Sequence, residues 1–230
     1  MNAELIRIGK TKDVYRLADG SYRFHFKDDV TGHADGTVDP GADVVIGKIA
    51  GIGEACLRMT VYFFELFRAS GFPTHYISSD FTAKTMTVRA ANMFGKGVEV
   101  IVRQVATGSF VRRYGGYVKD GDLLDRLVEF TIKDDERGDP LATSETLAAL
   151  GIMTGEEYDL QREMARRICA VIDAEMKKRG LILYDLKMEF GRCRDDGGIS
   201  LVDEISPGCM RVYRGGNQLS GLELAEAFFA

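Results

Sequence analysis

The sequence predicts an α+β protein built from antiparallel sheets with flanking helices. Three observations predict it. Runs that alternate polar and apolar residues come in pairs around turn residues, two long stretches carry helix start and stop signals, and strands and helices follow one another without the regular strand-helix-strand repetition of a parallel sheet. With 230 residues, 45% of them hydrophobic, the chain can bury a sizeable core as one large domain or two small lobes.

In chain order, the alternating runs Ile6 to Leu17 and Ser21 to Phe26 flank Asp19-Gly20 and predict a β-hairpin, in which Lys10 and Lys12 project from one face. Lys27 to Asp43 holds Asp28, Asp29, Asp35 and several glycines and reads as a loop. A helix is expected from about Glu54 to Ala69, stopping at Ser70-Gly71-Phe72-Pro73. Strands are expected around His75 to Ile77, Thr85 to Arg89 and Val98 to Arg103, the last so continuously apolar that it reads as central and buried. Leu127 to Lys133 is a further apolar stretch, ending in Asp134-Asp135-Glu136-Arg137. A short helix from Ser144 to Leu150 precedes Thr154 and Glu157, whose capping-box spacing opens a helix reaching Arg179 and stopping at Gly180. Leu181 to Phe190 and Ile199 to Ile205 read as a hairpin around Arg194-Asp195-Asp196-Gly197-Gly198.

Composition narrows the function. A net charge of −5 argues against a general nucleic-acid binder, whereas Arg103, Arg112 and Arg113, close in sequence, suit a small anionic ligand. The four cysteines lack metal-ligand or disulfide spacing and fit reduced thiols in a cytoplasmic protein. No apolar run approaches the ~20 residues that span a bilayer, and residues 1–7 carry no targeting signature, so no membrane partner is expected. His25, His33 and His75 stand apart from one another and read as structural.

The candidate chemistry centres on Tyr184-Asp185-Leu186-Lys187-Met188-Glu189-Phe190, where Asp185, Lys187 and Glu189 share one strand face. Asp203 and Glu204, on the expected partner strand, add carboxylates, and several carboxylates with a lysine suit a magnesium nucleotide. A solvated strand face with cross-strand ion pairs explains the same pattern equally well. Gly9, Lys10 and Lys12 could cradle phosphates, although neither a Walker motif nor Gly-x-Gly-x-x-Gly is present. Arg103, delivered by the buried strand beside the turn Gly108-Ser109, offers a phosphate or carboxylate pocket, with Arg211 as a further anion contact. The alternative for Arg103 is a strand end snorkelling to solvent.

Taken in order, several blocks resemble the SAICAR synthetase family, purine-pathway ligases that join aspartate to carboxyaminoimidazole ribotide with ATP. They are Gly9-Lys10-Thr11-Lys12-Asp13-Val14-Tyr15, Phe26-Lys27-Asp28-Asp29, Val98 to Arg103, Gly108 to Gly115, Ile132-Lys133-Asp134-Asp135-Glu136-Arg137, Asp185 to Gly191 and Asp203-Glu204-Ile205-Ser206-Pro207. The resemblance implies a two-lobed fold related to ATP-grasp enzymes, with a nucleotide-binding lobe over residues 1–93 and a substrate and metal lobe over 94–230. It implies Lys10, Lys12 and Lys133 at ATP, Glu189 and Asp203 at Mg2+, and Arg103, Ser109 and Arg211 at the ribotide. Asp185 and Lys187 are implied where a carboxylate is activated as an acyl phosphate. The implied partners are ATP, the ribotide and aspartate, and the expected assembly is a homo-oligomer. The chain departs from the family pattern at Gly208, where Asp is usual, at Gly138 in place of His, at Ile52 in place of Lys, and in the tail from Asn217 to Ala230. Since these departures lie toward the ribotide and amino-acid end, a ligase with another substrate pair and a catalytically silent homologue stand as alternatives.

Overall fold

Gly9 forces the first reversal of the chain: a Cβ there would lie 2.3 Å from the Lys12 carbonyl oxygen, which accepts the Gly9 N–H at 2.9 Å. The computed structural model describes residues 3–32, 34–36, 38 and 44–230, so His33 and part of the expected 27–43 loop lie outside the described residues. The chain divides into two compact units, Met1–Asn92 with Gly191–Cys209 and Ser220–Ala230, and Met93–Phe190 with Met210–Leu219. A single boundary between 93 and 94 is expected from the family resemblance. The chain instead returns twice to the first unit, because an antiparallel core can take strands and helices from segments far apart in sequence.

In the first unit, β1 (Glu4–Ile8), β2 (Lys12–Arg16), β3 (Tyr22–Phe26), β6 (Tyr76–Asp80) and β7 (Thr85–Val88) form an antiparallel sheet in the order β1-β2-β3-β7-β6. The expected hairpin around Asp19-Gly20 is the β2-β3 pair. Ahead of it the Gly9 turn splits the first run, so Lys10 lies in that turn and Lys12 opens β2, rather than both pointing from one strand. β4 (Asp29–Gly32) and β5 (Val44–Lys48) pair where a loop was expected. Helix α1 (Ile52–Ala69) buries Leu57, Thr60, Phe63, Phe64 and Phe67 at helical spacing. It starts two residues before the expected Glu54, because the carboxylate of Asp28, in the link between β3 and β4, accepts the Gly53 N–H at 3.0 Å. A Gly53 Cβ would lie 2.7 Å from the Lys27 carbonyl oxygen, which accounts for glycine there.

The second unit is organised by β9 (Val98–Val105), β10 (Leu123–Ile132), the β11 strand (Ile182–Cys193) up to Phe190, and β13 and β14 (Met210–Arg214, Asn217–Gln218), in the order β10-β9-β11-β13-β14. One face is apolar, with Val98, Val100, Val102, Phe130, Leu186, Met188 and Val212 buried. Helix α4 (Gly155–Lys177), opened by the Thr154–Glu157 capping box, covers it; α4 packs on β9 and β10, and its Tyr158 ring stacks on Phe130 at 4.0 Å. Two shorter helices complete the unit, α2 (Gly108–Tyr114), where a glycine-serine turn was expected, and α3 (Ser144–Ala149).

The last residues of β11, Gly191–Cys193, belong to the first unit, where the Cys193 N–H bonds the Gly198 carbonyl and the Arg194 N–H bonds that of Ala90. They pair with β8 (Ala91–Met93) and β12 (Ile199–Val202). The expected hairpin is therefore confined to this end of β11. Along Asp185–Glu189 the partners of β11 are β9 and β13, because Asp185 pairs with both Arg103 and Arg211. Helix α5 (Gly221–Phe229), capped by Ser220 and Glu223, lays Phe228 against Tyr62 and Phe63 of α1. Among the described residues no helix is long and apolar enough to cross a membrane.

Candidate active site

Strand alternation places chemistry on the second unit's other face. Three ranks cross the strands in register: Arg103, Asp185 and Arg211; Glu129, Ile101 and Lys187; Thr131, Glu99 and Glu189. The expected sharing of one face by Asp185, Lys187 and Glu189 therefore places them beside charged residues of three neighbouring strands. The face carries the cross-strand ion pairs of the alternative reading but is not solvated at its carboxylates, Asp185 being 3% and Glu189 8% exposed.

Arg103, 1% exposed, is the hub. Its Nε donates to Glu129 Oε2 at 2.5 Å, one Nη to Asp185 Oδ2 at 3.1 Å and the other to Ser109 Oγ at 2.9 Å. This excludes the snorkelling alternative and gives the Ser109 hydroxyl the role of accepting from Arg103. Arg113 donates to both Glu129 oxygens at 2.7 and 2.9 Å, and Arg211 Nη1 donates to Asp185 Oδ2 at 2.7 Å. Three guanidiniums thus face two carboxylates, and the network carries net positive charge. Such surplus, held by interlocked charge-assisted bonds, suits an anionic group. Gly108 at the start of α2, with φ 53, lets the Arg211 guanidinium lie close: a Cβ there would be 2.9 to 3.1 Å from it.

The neighbouring rank pairs like charges. Glu99 and Glu189 lie opposite each other on adjacent strands, and each is matched by an ammonium: Lys187 Nζ is 3.0 Å from Glu99 and Lys133 Nζ donates to Glu189 at 2.6 Å. Thr131 Oγ1 donates to the other Glu99 oxygen. Gly97, φ 130, leaves room for the Lys133 stem, which a Cβ would meet at 2.7 Å.

A β-bulge interrupts the β11-β13 register between Leu183 and Asp185, with Val212 and Arg211 as successive partners. The extra residue, Tyr184, stacks on Tyr213 with ring centroids 3.7 Å apart.

In the first unit the site residues gather around Lys12. Its Nζ contacts Glu204 and lies 3.0 Å from Asp203 Oδ1. Burial opposes its charge, but the two carboxylates outweigh burial and raise its pKa above the ordinary lysine range. Lys10 is exposed in the turn that Gly9 permits, and Lys27 anchors that turn by donating to the Gly9 carbonyl at 2.8 Å. Asp203 has left β12 and adopts φ 63, unusual for a residue with a side chain. His75 Nε2 is 3.3 Å from its carbonyl, and burial depresses the His75 pKa to about 4, only partly offset by Asp203. Cys56 is pushed up to about 12 by burial and by Glu204, so it stays a thiol.

Of the residues expected from sequence, Arg103, Ser109, Asp185 and Arg211 form one cluster, Lys133 and Glu189 a pair, and Lys12 and Asp203 another. Lys187 pairs with Glu99 on the neighbouring strand β9. Arg113, grouped by sequence with Arg103 and Arg112 as suited to an anionic ligand, joins the cluster, whereas Glu99, Glu129 and His75 are not singled out by sequence as site residues. The signal for the two glutamates was present: each is a lone charge inside an apolar strand, and a buried carboxylate needs a partner.

The sequence profile described as SAICAR synthetase matches residues 5–223. The chain is 49% identical over 216 residues to a Clostridium tetani (strain Massachusetts / E88) protein named phosphoribosylaminoimidazole-succinocarboxamide synthase, covering 94% of this chain and 95% of that one. A protein of the same name from Finegoldia magna is 38% identical over 207 residues, covering 89% and 83%. Among solved structures, one described as a type-2 SAICAR synthetase in complex with ADP superposes with a TM-score of 0.83 at 28% identity, covering 99% of this chain and 94% of that one. Fold, ordered motifs and relatives agree, and the chain belongs to the SAICAR synthetase family.

Proposed function

We propose that this chain joins L-aspartate to carboxyaminoimidazole ribotide using ATP, forming SAICAR for purine biosynthesis, the activity for which its Clostridium tetani relative is named. The observation that carries the reading is the buried Arg103–Asp185–Arg211 rank with Ser109, an anion-binding network on a rigid sheet in a member of this family. Arg103, Ser109 and Arg211 hold the ribotide's phosphate and carboxylate. In the first unit Lys10 and Lys12 take nucleotide phosphates and in the second Lys133 does so; the type-2 relative's complex with ADP supports nucleotide binding as such.

Magnesium fits the donor chemistry. Among the described residues no three His, Cys, Asp or Glu are grouped to hold a metal alone. Magnesium on a nucleotide needs only one or two carboxylates, the phosphates supplying further oxygens. Glu189, beside Glu99 in the second unit, is one proposed ligand, and Asp203 in the first is another. When bound, the ion neutralises phosphate charge. The chain's own residues do the rest. Asp185 and Lys187 orient the ribotide carboxylate as it attacks the γ-phosphate to give an acyl phosphate, and the aspartate amine then displaces phosphate to form the amide. Positioning and charge neutralisation carry such a reaction without a protein nucleophile.

Purified protein given ATP, magnesium, the ribotide and aspartate is expected to yield one amide and one ADP per turnover, measured by chromatography. Nucleotide binding without amide product would overturn the reading in favour of another substrate pair or a silent homologue.

A further inference from the structure

His75 occupies a place where an apolar side chain would pack at least as well. The ring is 2% exposed and wedged edge-on between Phe24 and Phe64, each with centroids 5.7 Å away. Burying an imidazole among aromatic rings is unfavourable unless its nitrogens are bonded. The bond observed is from Nε2 to the Asp203 carbonyl. Since a carbonyl only accepts, Nε2 carries the proton and the ring is held as one tautomer.

The main chain holds the donor as firmly as the rings do. The His75 N–H bonds the Leu201 carbonyl at 3.0 Å, the His75 carbonyl accepts from Arg89 at 2.7 Å, and the Leu201 N–H returns to the Pro73 carbonyl at 3.0 Å. This short parallel pairing fixes the ring two residues along from Leu201, where the chain turns into the left-handed conformation of Asp203. That conformation is costly for a residue with a Cβ and persists where its surroundings determine it. At Asp203 those surroundings include the imidazole on the carbonyl and the Lys12 ammonium on the carboxylate.

We propose that His75 is a positioning residue: through its bond to the Asp203 carbonyl it holds that residue left-handed, keeping the carboxylate on Lys12 and in place for the magnesium nucleotide. The role rests on the reading of Lys12 and Asp203 as nucleotide and metal residues. It predicts that an amide donor can replace the imidazole, whereas an apolar side chain of similar size cannot.

The test is calorimetric titration with magnesium ADP of the wild-type chain and of His75→Gln, His75→Leu and Asp203→Asn. His75→Leu is expected to bind roughly tenfold more weakly, a loss typical of removing a residue that orients a ligand. His75→Gln is expected within about threefold of wild type, and steady-state kinetics should show the His75→Leu effect in KM for ATP and not in KM for aspartate. Unchanged binding by His75→Leu alongside weakened Asp203→Asn overturns the positioning role, as does His75→Gln binding as poorly as His75→Leu. Unchanged binding by Asp203→Asn overturns the assignment of Asp203 and the proposal with it. Should His75→Leu not fold, nitrogen NMR of the wild type decides: a neutral ring protonated at Nε2, with slow proton exchange, is expected, and protonation at Nδ1 overturns it.

Discussion

At the scale of the residue, Asp185 concentrates the constraint. One of its oxygens accepts from both Arg103 and Arg211, so a single carboxylate sets two guanidiniums that belong to different strands. Asp185→Asn keeps the shape and removes the charge, and should lower kcat/KM for the ribotide by roughly 10²-fold or more, the scale of losing one preorganised electrostatic contact. A loss under about threefold in steady-state assays would make the carboxylate structural only. Asp185→Ala should add a stability cost of about 3–5 kcal/mol, because it leaves buried arginines short of their partner. Much of this was legible. A charged residue every second position among large apolar ones announces two unlike faces, and the alternation puts Asp185, Lys187 and Glu189 on one of them. What alternation cannot state is which strands lie alongside, so Asp203 and Glu204 were placed opposite them when Arg103, Arg211 and Glu99 are the partners.

At the scale of the element, α2 carries its function in its first residue. Gly108 is left-handed and leaves the space the Arg211 guanidinium fills. Gly108→Ala should therefore cost about 1–2 kcal/mol for the conformation alone. It should also displace Arg211, seen as a rise in KM for the ribotide that exceeds any change in KM for ATP. Unchanged kinetics would mean Arg211 tolerates the methyl group. A short Gly-Ser-led helix reads as a turn from sequence because both residues favour turns, and it is tied down by burial of Phe110, the bond between Ser109 and Arg103 and the bonds from Arg113 to Glu129. By contrast α4 was legible at its N-terminus, since its capping box is local. The start of α1 was not, because the carboxylate that meets its first turn, Asp28, lies some 25 residues away in the link between β3 and β4. α5 has an equally local capping box, Ser220 with Glu223, but its nine residues are too few to announce a helix alone, and aromatic contacts with α1 stabilise it.

At the scale of the whole molecule, buried titratable groups tie stability to pH. His75 titrates near pH 4 when folded and near 6.5 when unfolded, so between these values the unfolded chain binds the extra proton. Stability is retained above about pH 6.5 and lost as pH falls toward 4. In urea unfolding at pH 7, 6 and 5, the difference between wild type and His75→Gln should shift against the wild type by about 2 kcal/mol by pH 5. A pH-independent difference would show that His75 keeps an ordinary pKa. The threading of the chain has a consequence for synthesis as well. The first unit is completed only by α5, whose Phe228 meets the Tyr62 and Phe63 rings. On the ribosome, α1 emerges some 150 residues before α5, an interval of about 10–30 s at ordinary elongation rates. Throughout that interval its aromatic face lacks its closing partner, leaving apolar surface of the nascent chain open to self-association.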